Sequence, residues 1–243
     1  MVGRFFEHYQ RVKQYFRFSK VELNSLLIVI LVTGFIFSMR HPGEELSLFN
    51  WIKYFVYAVI LAAMAFFLRL SLQKIFALDK GYYAEFKIWW EGLAASLVLS
   101  FLSMGYLPLI LAGGINSIFM VRQRLGEFRY GYSYEENAII ALWGMVGNLY
   151  LATMFALLNL IFPGTYLFST GMVMNIVIAI CFLLPLPWLE GLQIFFGWRF
   201  IYYVCLATWL LVTLLLLSGT KIGLIIVITG GALFGIFRLL WSP

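Results

Sequence analysis

The sequence predicts an all-α polytopic membrane protein with about seven transmembrane helices. Of its 243 residues, 63% are hydrophobic and only 12% are charged, whereas an ordinary soluble domain has roughly 25% charged residues. The apolar residues are concentrated in long blocks, and several blocks reach the roughly 17 to 25 residues that cross a bilayer as a helix. Both observations indicate a chain surrounded by a lipid bilayer.

The first twenty residues, MVGRFFEHYQRVKQYFRFSK, predict a basic amphipathic helix at the membrane interface. Charged and aromatic residues alternate there without an apolar core, so the segment is not a signal peptide. A helix would collect its aromatic side chains on one stripe beside anionic headgroups; a short solvated tail is the alternative. Ser19, three residues before Glu22, predicts a capping box that opens the first span.

The apolar blocks give seven clear spans and one ambiguous segment. Tyr106–Val121, YLPLILAGGINSIFMV, is apolar but short, and it contains a proline and a Gly-Gly pair. It is compatible with a span, a re-entrant hairpin or an extended strand. The clear spans are Leu23–Met39, Trp51–Leu68, Ile88–Met104, Ala138–Phe162, Met172–Leu184, Phe200–Leu217 and Ile222–Phe237.

The basic residues predict how the chain is oriented. If the N-terminus is cytoplasmic and the ambiguous segment returns the chain to its starting side, 14 of the 17 basic residues lie inside; otherwise only ten do. Both counts treat Arg69 and Lys74 as loop residues inside. The positive-inside rule favours the first topology, which predicts both termini in the cytoplasm of a prokaryotic cell. The same rule explains the net charge of +6 without a nucleic-acid partner.

The stretch Leu183–Gln193, LLPLPWLEGLQ, interrupts an apolar block in an unusual way. Pro185 and Pro187 lie where a helix interior disfavours proline by roughly 3 kcal/mol, and Glu190 and Gly191 follow. Backbone groups freed by prolines are tolerated at membrane depth only against protein or a wet cavity, and an acid there usually has a partner or a function. We therefore expect Glu190 in a polar pocket, with a helix-end carboxylate that reaches the interface as the alternative.

Two segments resemble site-2 proteases, which are intramembrane zinc metalloproteases. Leu184–Gly191, LPLPWLEG, resembles their LPIPPLDG segment, in which the acid is the third zinc ligand. Ile140–Asn148, IALWGMVGN, resembles their ALAGPxxN segment. The resemblance covers about half of the chain and implies four parts: an interfacial segment at 1–20, two transmembrane helices at 21–84, a site-2-protease-like core at 85–200 and two transmembrane helices at 201–243.

The family's first catalytic helix carries His-Glu-x-x-His, in which two imidazoles bind zinc and the glutamate is the general base. The matching segment here is EFKIWWEGLAASLVLSF. The best overlay places Trp90 and Ala94 at the two imidazole positions and Glu91 at the glutamate. This segment therefore supplies no imidazole ligand.

Other departures from the family pattern also argue against a zinc site. The acid of the Leu-acid-Gly turn is Glu190 rather than aspartate, and Phe182 stands where the family has an asparagine ahead of the prolines. The two histidines, His8 and His41, both lie outside the apolar spans. We therefore expect no catalytic residues, no metal and no cofactor in this relative.

The resemblance implies a cleft at membrane depth, so the leading hypothesis is a non-enzymatic protein that binds or scaffolds transmembrane segments or partner membrane proteins. Helices associate in lipid by close packing of small residues and occasional polar bonds. One alternative is a transporter or channel, since broken segments occur at transport sites, although no inverted repeat is visible. The other is a metalloprotease-like enzyme with a non-standard site. The expected cleft residues are Glu190, Gly191, Asn148, Gly144, Trp90, Glu91, Pro185 and Pro187, with the Asn148 amide and the Trp90 indole as donors to Glu190.

Overall fold

A computed structural model describes residues 2–39, 48–120 and 133–241; His41 and Val121 lie outside these ranges. The elements follow each other as nine helices and two strands within the described residues. They are α1 (Val2–Tyr15), α2 (Lys20–Ser38), α3 (Leu48–Asp79), β1 (Tyr82–Ile88), α4 (Trp90–Leu102), β2 (Gly113–Phe119), α5 (Tyr134–Ile161), α6 (Tyr166–Leu183), α7 (Glu190–Gly197), α8 (Arg199–Leu217) and α9 (Lys221–Trp241).

The helical membrane class agrees with the sequence-based prediction. Within the described residues, five helices are long and apolar enough to cross a membrane: α2, α3, α5, α6 and α8. Helix α4 is shorter, and the part of α9 with described side chains, Lys221–Ala232, is also a shorter apolar helix. The predicted number of about seven spans is therefore not confirmed.

The predicted span Ile88–Met104 does not form as a full crossing. Helix α4 has 13 residues, a length of about 20 Å at 1.5 Å per residue, whereas the hydrocarbon core is about 30 Å thick. After α4 the chain turns and runs back, and the Trp89 N–H donates to the Ala112 carbonyl at 2.9 Å. The helix and the returning segment therefore form a hairpin whose two ends meet.

The returning segment ends in a strand, which was one of the three possibilities for Tyr106–Val121. Strand β2 pairs antiparallel with β1, so that Tyr82 lies opposite Phe119 and Ile88 opposite Gly113. This two-stranded sheet is an exception to the predicted all-α fold. Because β2 pairs with β1, the hairpin brings the chain back to the side from which α4 starts.

Side chains satisfy the backbone of the hairpin's extended part. The Leu111 N–H donates to the Ser96 Oγ at 2.8 Å, and the Ile110 N–H donates to the Cys181 Sγ at 3.3 Å. Non-helical backbone at membrane depth is tolerated only when protein or water satisfies its polar groups. The two contacts fix the segment between α4 and α6.

The capping box at the start of α2 forms as predicted. The Glu22 N–H donates to the Ser19 Oγ at 3.1 Å, and the Ser19 N–H donates to the Glu22 carboxylate at 3.3 Å. Helix α1 ends at Tyr15, and His8 lies 3.5 Å from Asp79 at the end of α3. The N-terminal helix therefore lies beside the last turn of α3.

The treatment of Arg69 and Lys74 as loop residues was wrong. Helix α3 continues eleven residues beyond Leu68, to Asp79, and both cationic side chains are buried within it. Their charges can be buried because each has an acidic partner, Glu190 for Arg69 and Glu22 for Lys74. Both topologies counted the two residues on the same side, so the charge comparison keeps its direction.

Candidate functional site

The Pro-x-Pro-x-x-Glu-Gly turn connects α6 to the short helix α7. Helix α6 ends at Leu183, and Trp188 takes the left-handed backbone conformation, with φ 68°, before α7 begins at Glu190. Gly191 follows, and a Cβ there would collide with the carbonyl oxygens of Leu183 and Leu184. Only glycine fits this close approach, so the turn folds back tightly against the end of α6.

Glu190 lies fully buried at this turn, with 0% of its surface exposed. Its Oε2 accepts a hydrogen bond from the guanidinium of Arg69, with which it forms an ion pair. The same oxygen accepts a bond from the Gln73 Nε2 at 2.8 Å. Arg69 and Gln73 are four residues apart and therefore share one face of α3. The carboxylate thus fastens α3 to the turn that precedes α7.

The aromatic ring of Phe182 packs against the guanidinium of Arg69. The Arg69 Cζ lies 3.9 Å from the centroid of the Phe182 ring, and both side chains are fully buried. A guanidinium over an aromatic face is attracted by the negative face of the ring, more strongly when both are desolvated. Phe182 occupies the position at which the family resemblance predicts an asparagine. This departure gives the Arg69 guanidinium an aromatic ring to pack against.

The glycines of the IALWGMVGN segment bring α5 close to α3. A Cβ at Gly144 would collide with the Gln73 side chain, whose amide also donates to the Ala141 carbonyl at 3.4 Å. A Cβ at Gly147 would lie 3.4 Å from the Arg69 Cα. Small residues allow helices to approach closely in lipid. Here Gly144 makes room for the Gln73 side chain, and Gly147 lets α5 approach the backbone of α3.

Asn148 is buried, but it is not the donor to Glu190 that the sequence predicted. Neither its amide nitrogen nor its oxygen has a hydrogen-bond partner among the described residues. The donors to Glu190 are instead Arg69 and Gln73. The expected role of Asn148 is taken by residues of α3.

The α4 residues expected at the cleft are exposed and do not bind Glu190 in the described part of the chain. Trp90 is 57% exposed, Glu91 is exposed as well, and within the described part of the chain neither is bonded to Glu190. Helix α7 instead contacts β2: the Gln193 Nε2 donates to the Ile115 carbonyl at 2.8 Å. A Cβ at Gly114 would lie 3.6 Å from the Glu190 Cγ. The site is therefore lined by α3, α7 and β2, together with Phe182 of α6 and Gly144 of α5.

Sequence reasoning missed Arg69 and Gln73. Their signal was present in LRLSLQKIFAL, where apolar residues continue at helical spacing beyond Leu68. An isolated acid in an apolar chain also requires a donor or a cation, and Arg69 and Gln73 offer both on one helix face.

Zinc, which the family resemblance implies, does not fit this site. The donor set around Glu190 consists of a guanidinium and an amide N–H, neither of which can bind a cation. The imidazole positions hold Trp90 and Ala94, which have no ligand atom for zinc. Across residues 2–39, 48–120 and 133–241, no three His, Cys, Asp or Glu side chains come together as a metal-binding group.

Comparison with known proteins gives one informative match. A protein of Methanocaldococcus jannaschii named as a candidate zinc metalloprotease is 28% identical over 180 residues, which cover 72% of this chain and 84% of that protein. The similarity supports a site-2-protease-like family. No family model and no solved structure matches the chain. The apolar helices and this relative together fit a membrane protein of the site-2 protease family.

Proposed function

We propose that the chain is a non-catalytic, site-2-protease-like membrane protein that binds or scaffolds transmembrane segments or partner membrane proteins. One observation carries the non-catalytic part. Glu190, at the family's third zinc-ligand position, is already bonded to Arg69 and Gln73. A zinc ion would have to displace a buried guanidinium, and the overlay with the family motif offers it no imidazole ligand.

The short helix α4 supports the binding part of the proposal. Helix α4 covers only about two thirds of the bilayer core, so part of the membrane depth beside it is open to a partner segment. One side of α4 exposes Glu91, Ala94, Ala95 and Val98. Small residues let another helix approach its backbone closely. A transmembrane segment of a partner could therefore pack along this side.

The catalytic part is tested on purified full-length protein in detergent. We expect far less than one zinc per chain by elemental analysis, and no cleavage of a helical transmembrane peptide. The opposite result would be about one zinc per chain, lost in Glu190→Ala and accompanied by peptide cleavage. That result would refute the non-catalytic assignment.

The binding part is tested by photo-crosslinking in native membranes. A photoreactive amino acid at Ala94 is compared with the same group at Leu210, an exposed residue of α8. We expect discrete protein adducts from the probe at Ala94, and we expect them to disappear when Ala95→Trp is added to the same chain. Adducts of equal pattern from Ala94 and Leu210 would contradict a binding surface on α4.

We also propose that both termini lie in the cytoplasm of a prokaryotic cell. The hairpin of α4 supports this topology, since it returns the chain to the side from which it started. The test places single cysteines at Lys13 and Trp241 in a chain lacking Cys181 and Cys205, and labels intact cells with a membrane-impermeant reagent. Both sites should be protected until the membrane is opened; labelling of one site alone would refute the topology.

A further inference from the structure

We infer that helix α3 fills the place that a metal would take in this fold, with the Arg69 guanidinium as the cation that holds the Leu-acid-Gly turn. Arg69 and Gln73 lie outside the stretch 85–200 that resembles site-2 proteases, yet both bind the acid at its third ligand position. The inference rests on the proposed non-catalytic function. It adds to that proposal which group takes the place of the metal.

Charge is the first step of the argument. A buried carboxylate is stable only with a counter-charge and hydrogen bonds. Arg69 is the only cation within ion-pair distance of Glu190 in the described part of the chain. A guanidinium stays charged when buried and offers donors in a fixed planar fork. It therefore supplies, without any metal ligand, the positive charge that the carboxylate needs.

Two departures from the family pattern, Phe182 and Glu190, lie around this guanidinium. The ring of Phe182, in place of asparagine, lies 3.9 Å from the Arg69 Cζ. Glutamate at position 190 reaches one methylene further than the family's aspartate, and its carboxylate meets α3. Gly144, which the family pattern shares, leaves room for the Gln73 amide, which binds the same carboxylate oxygen. Both changes are explained by a contact with Arg69.

The other buried cation of α3 cannot replace Arg69. The Lys74 Nζ pairs with Glu22 at 2.9 Å and donates to the Ala84 carbonyl at 2.8 Å. Five residues along a helix turn the side chain by about 140°, so Lys74 points away from the Arg69 face. Each cation of α3 therefore has its own acid, and Lys74 provides a matched control.

The test is chemical rescue of Arg69→Ala in the full-length protein in detergent. We expect its Tm to fall by about 10 °C, because Glu190 is left buried without a counter-charge. Methylguanidinium chloride at millimolar concentration should restore a large part of the lost Tm. Tetramethylammonium chloride and zinc chloride should not. Lys74→Ala should also lose stability, and methylguanidinium should leave its Tm unchanged.

A second pair of variants serves if Arg69→Ala does not fold. Arg69→Gln alone leaves the Glu190 charge unpaired, whereas Arg69→Gln with Glu190→Gln removes both charges. We expect the double variant to have the higher Tm. An equal or lower Tm in the double variant would overturn the inference.

Other results separate this inference from the proposed function. Rescue of Arg69→Ala by zinc, or equal rescue by tetramethylammonium, would overturn the inference alone, provided that the wild-type protein is metal-free. About one zinc per wild-type chain would refute the proposed function and the inference with it.

Discussion

Lys74→Met is the sharpest test of how the N-terminal helices are held together. Lys74 lies in α3 with 6% of its surface exposed. Its Nζ pairs with Glu22 at 2.9 Å and donates to the carbonyls of Ala84 and Arg17 at 2.8 and 3.2 Å. Methionine keeps the length of the side chain but removes the charge and all three contacts.

The expected cost follows from what remains at Glu22. Removing one partner of a buried ion pair costs about 3 to 5 kcal/mol. Glu22 keeps the bonds from the Phe86 N–H at 3.0 Å and from the Ser19 N–H at 3.3 Å, so we expect the lower value. A loss of about 3 kcal/mol lowers the Tm of a chain of this size by roughly 6 to 12 °C.

The assay is thermal unfolding in detergent, followed by tryptophan fluorescence. Lys53→Met is the matched control, since Lys53 is an exposed lysine of the same helix and should change stability by at most about 0.5 kcal/mol. The double variant Lys74→Met, Glu22→Gln should lose less than the sum of its single variants, because it leaves no unpaired charge. A Lys74→Met Tm equal to that of Lys53→Met, or strict additivity in the double variant, would refute the reasoning.

Two smaller perturbations test the α3–α5 contact and the hairpin. Gly144→Ala should lower the Tm and cost about 1 to 3 kcal/mol of stability, because the new Cβ collides with the Gln73 side chain. The control is Gly230→Ala, whose new Cβ meets open space and which should be neutral or stabilising. Equal effects of the two variants on Tm would contradict the packing. Ser96→Ala should cost about 1 to 3 kcal/mol of stability. It should also speed hydrogen exchange at the Leu111 amide, because it removes the acceptor of this amide. Unchanged exchange there would show that another acceptor satisfies the amide.

Local and hydropathic features of the fold could be predicted from the sequence. The Ser19–Glu22 capping box involves neighbours along the chain, so its spacing alone identifies it. The long spans were visible because a helix that crosses lipid must be apolar over its whole length. A hairpin was only one of three possibilities for Tyr106–Val121, and α4 was expected to be a span, since a short helix and a returning strand are both apolar. Only the pairing of β2 with β1, which is non-local, distinguishes them from a span.

The site could be predicted only in part, because local features are visible in the sequence whereas non-local contacts are not. The cost of a buried acid indicated that Glu190 needs a polar pocket, and its burial follows that expectation. The partner was chosen from neighbours within the resembling stretch, whereas Arg69 is 121 residues away in sequence. The positive-inside rule also assigns a cation at the end of an apolar block to a loop. It cannot show that the helix continues and that the cation turns inward.

The two ion pairs of α3 link this helix to α2 and to α7. Lys74 binds Glu22 at the start of α2, and Arg69 binds Glu190 at the start of α7. Rotation or sliding of α3 would unpair both charges in surroundings that water does not reach, each at a cost of several kcal/mol. The position of the Pro-x-Pro turn therefore depends on the N-terminal helices as well as on the core that contains it. A chain cut between α3 and β1 would leave Glu190 without its cation, so we expect residues 85–200 not to fold as an independent unit.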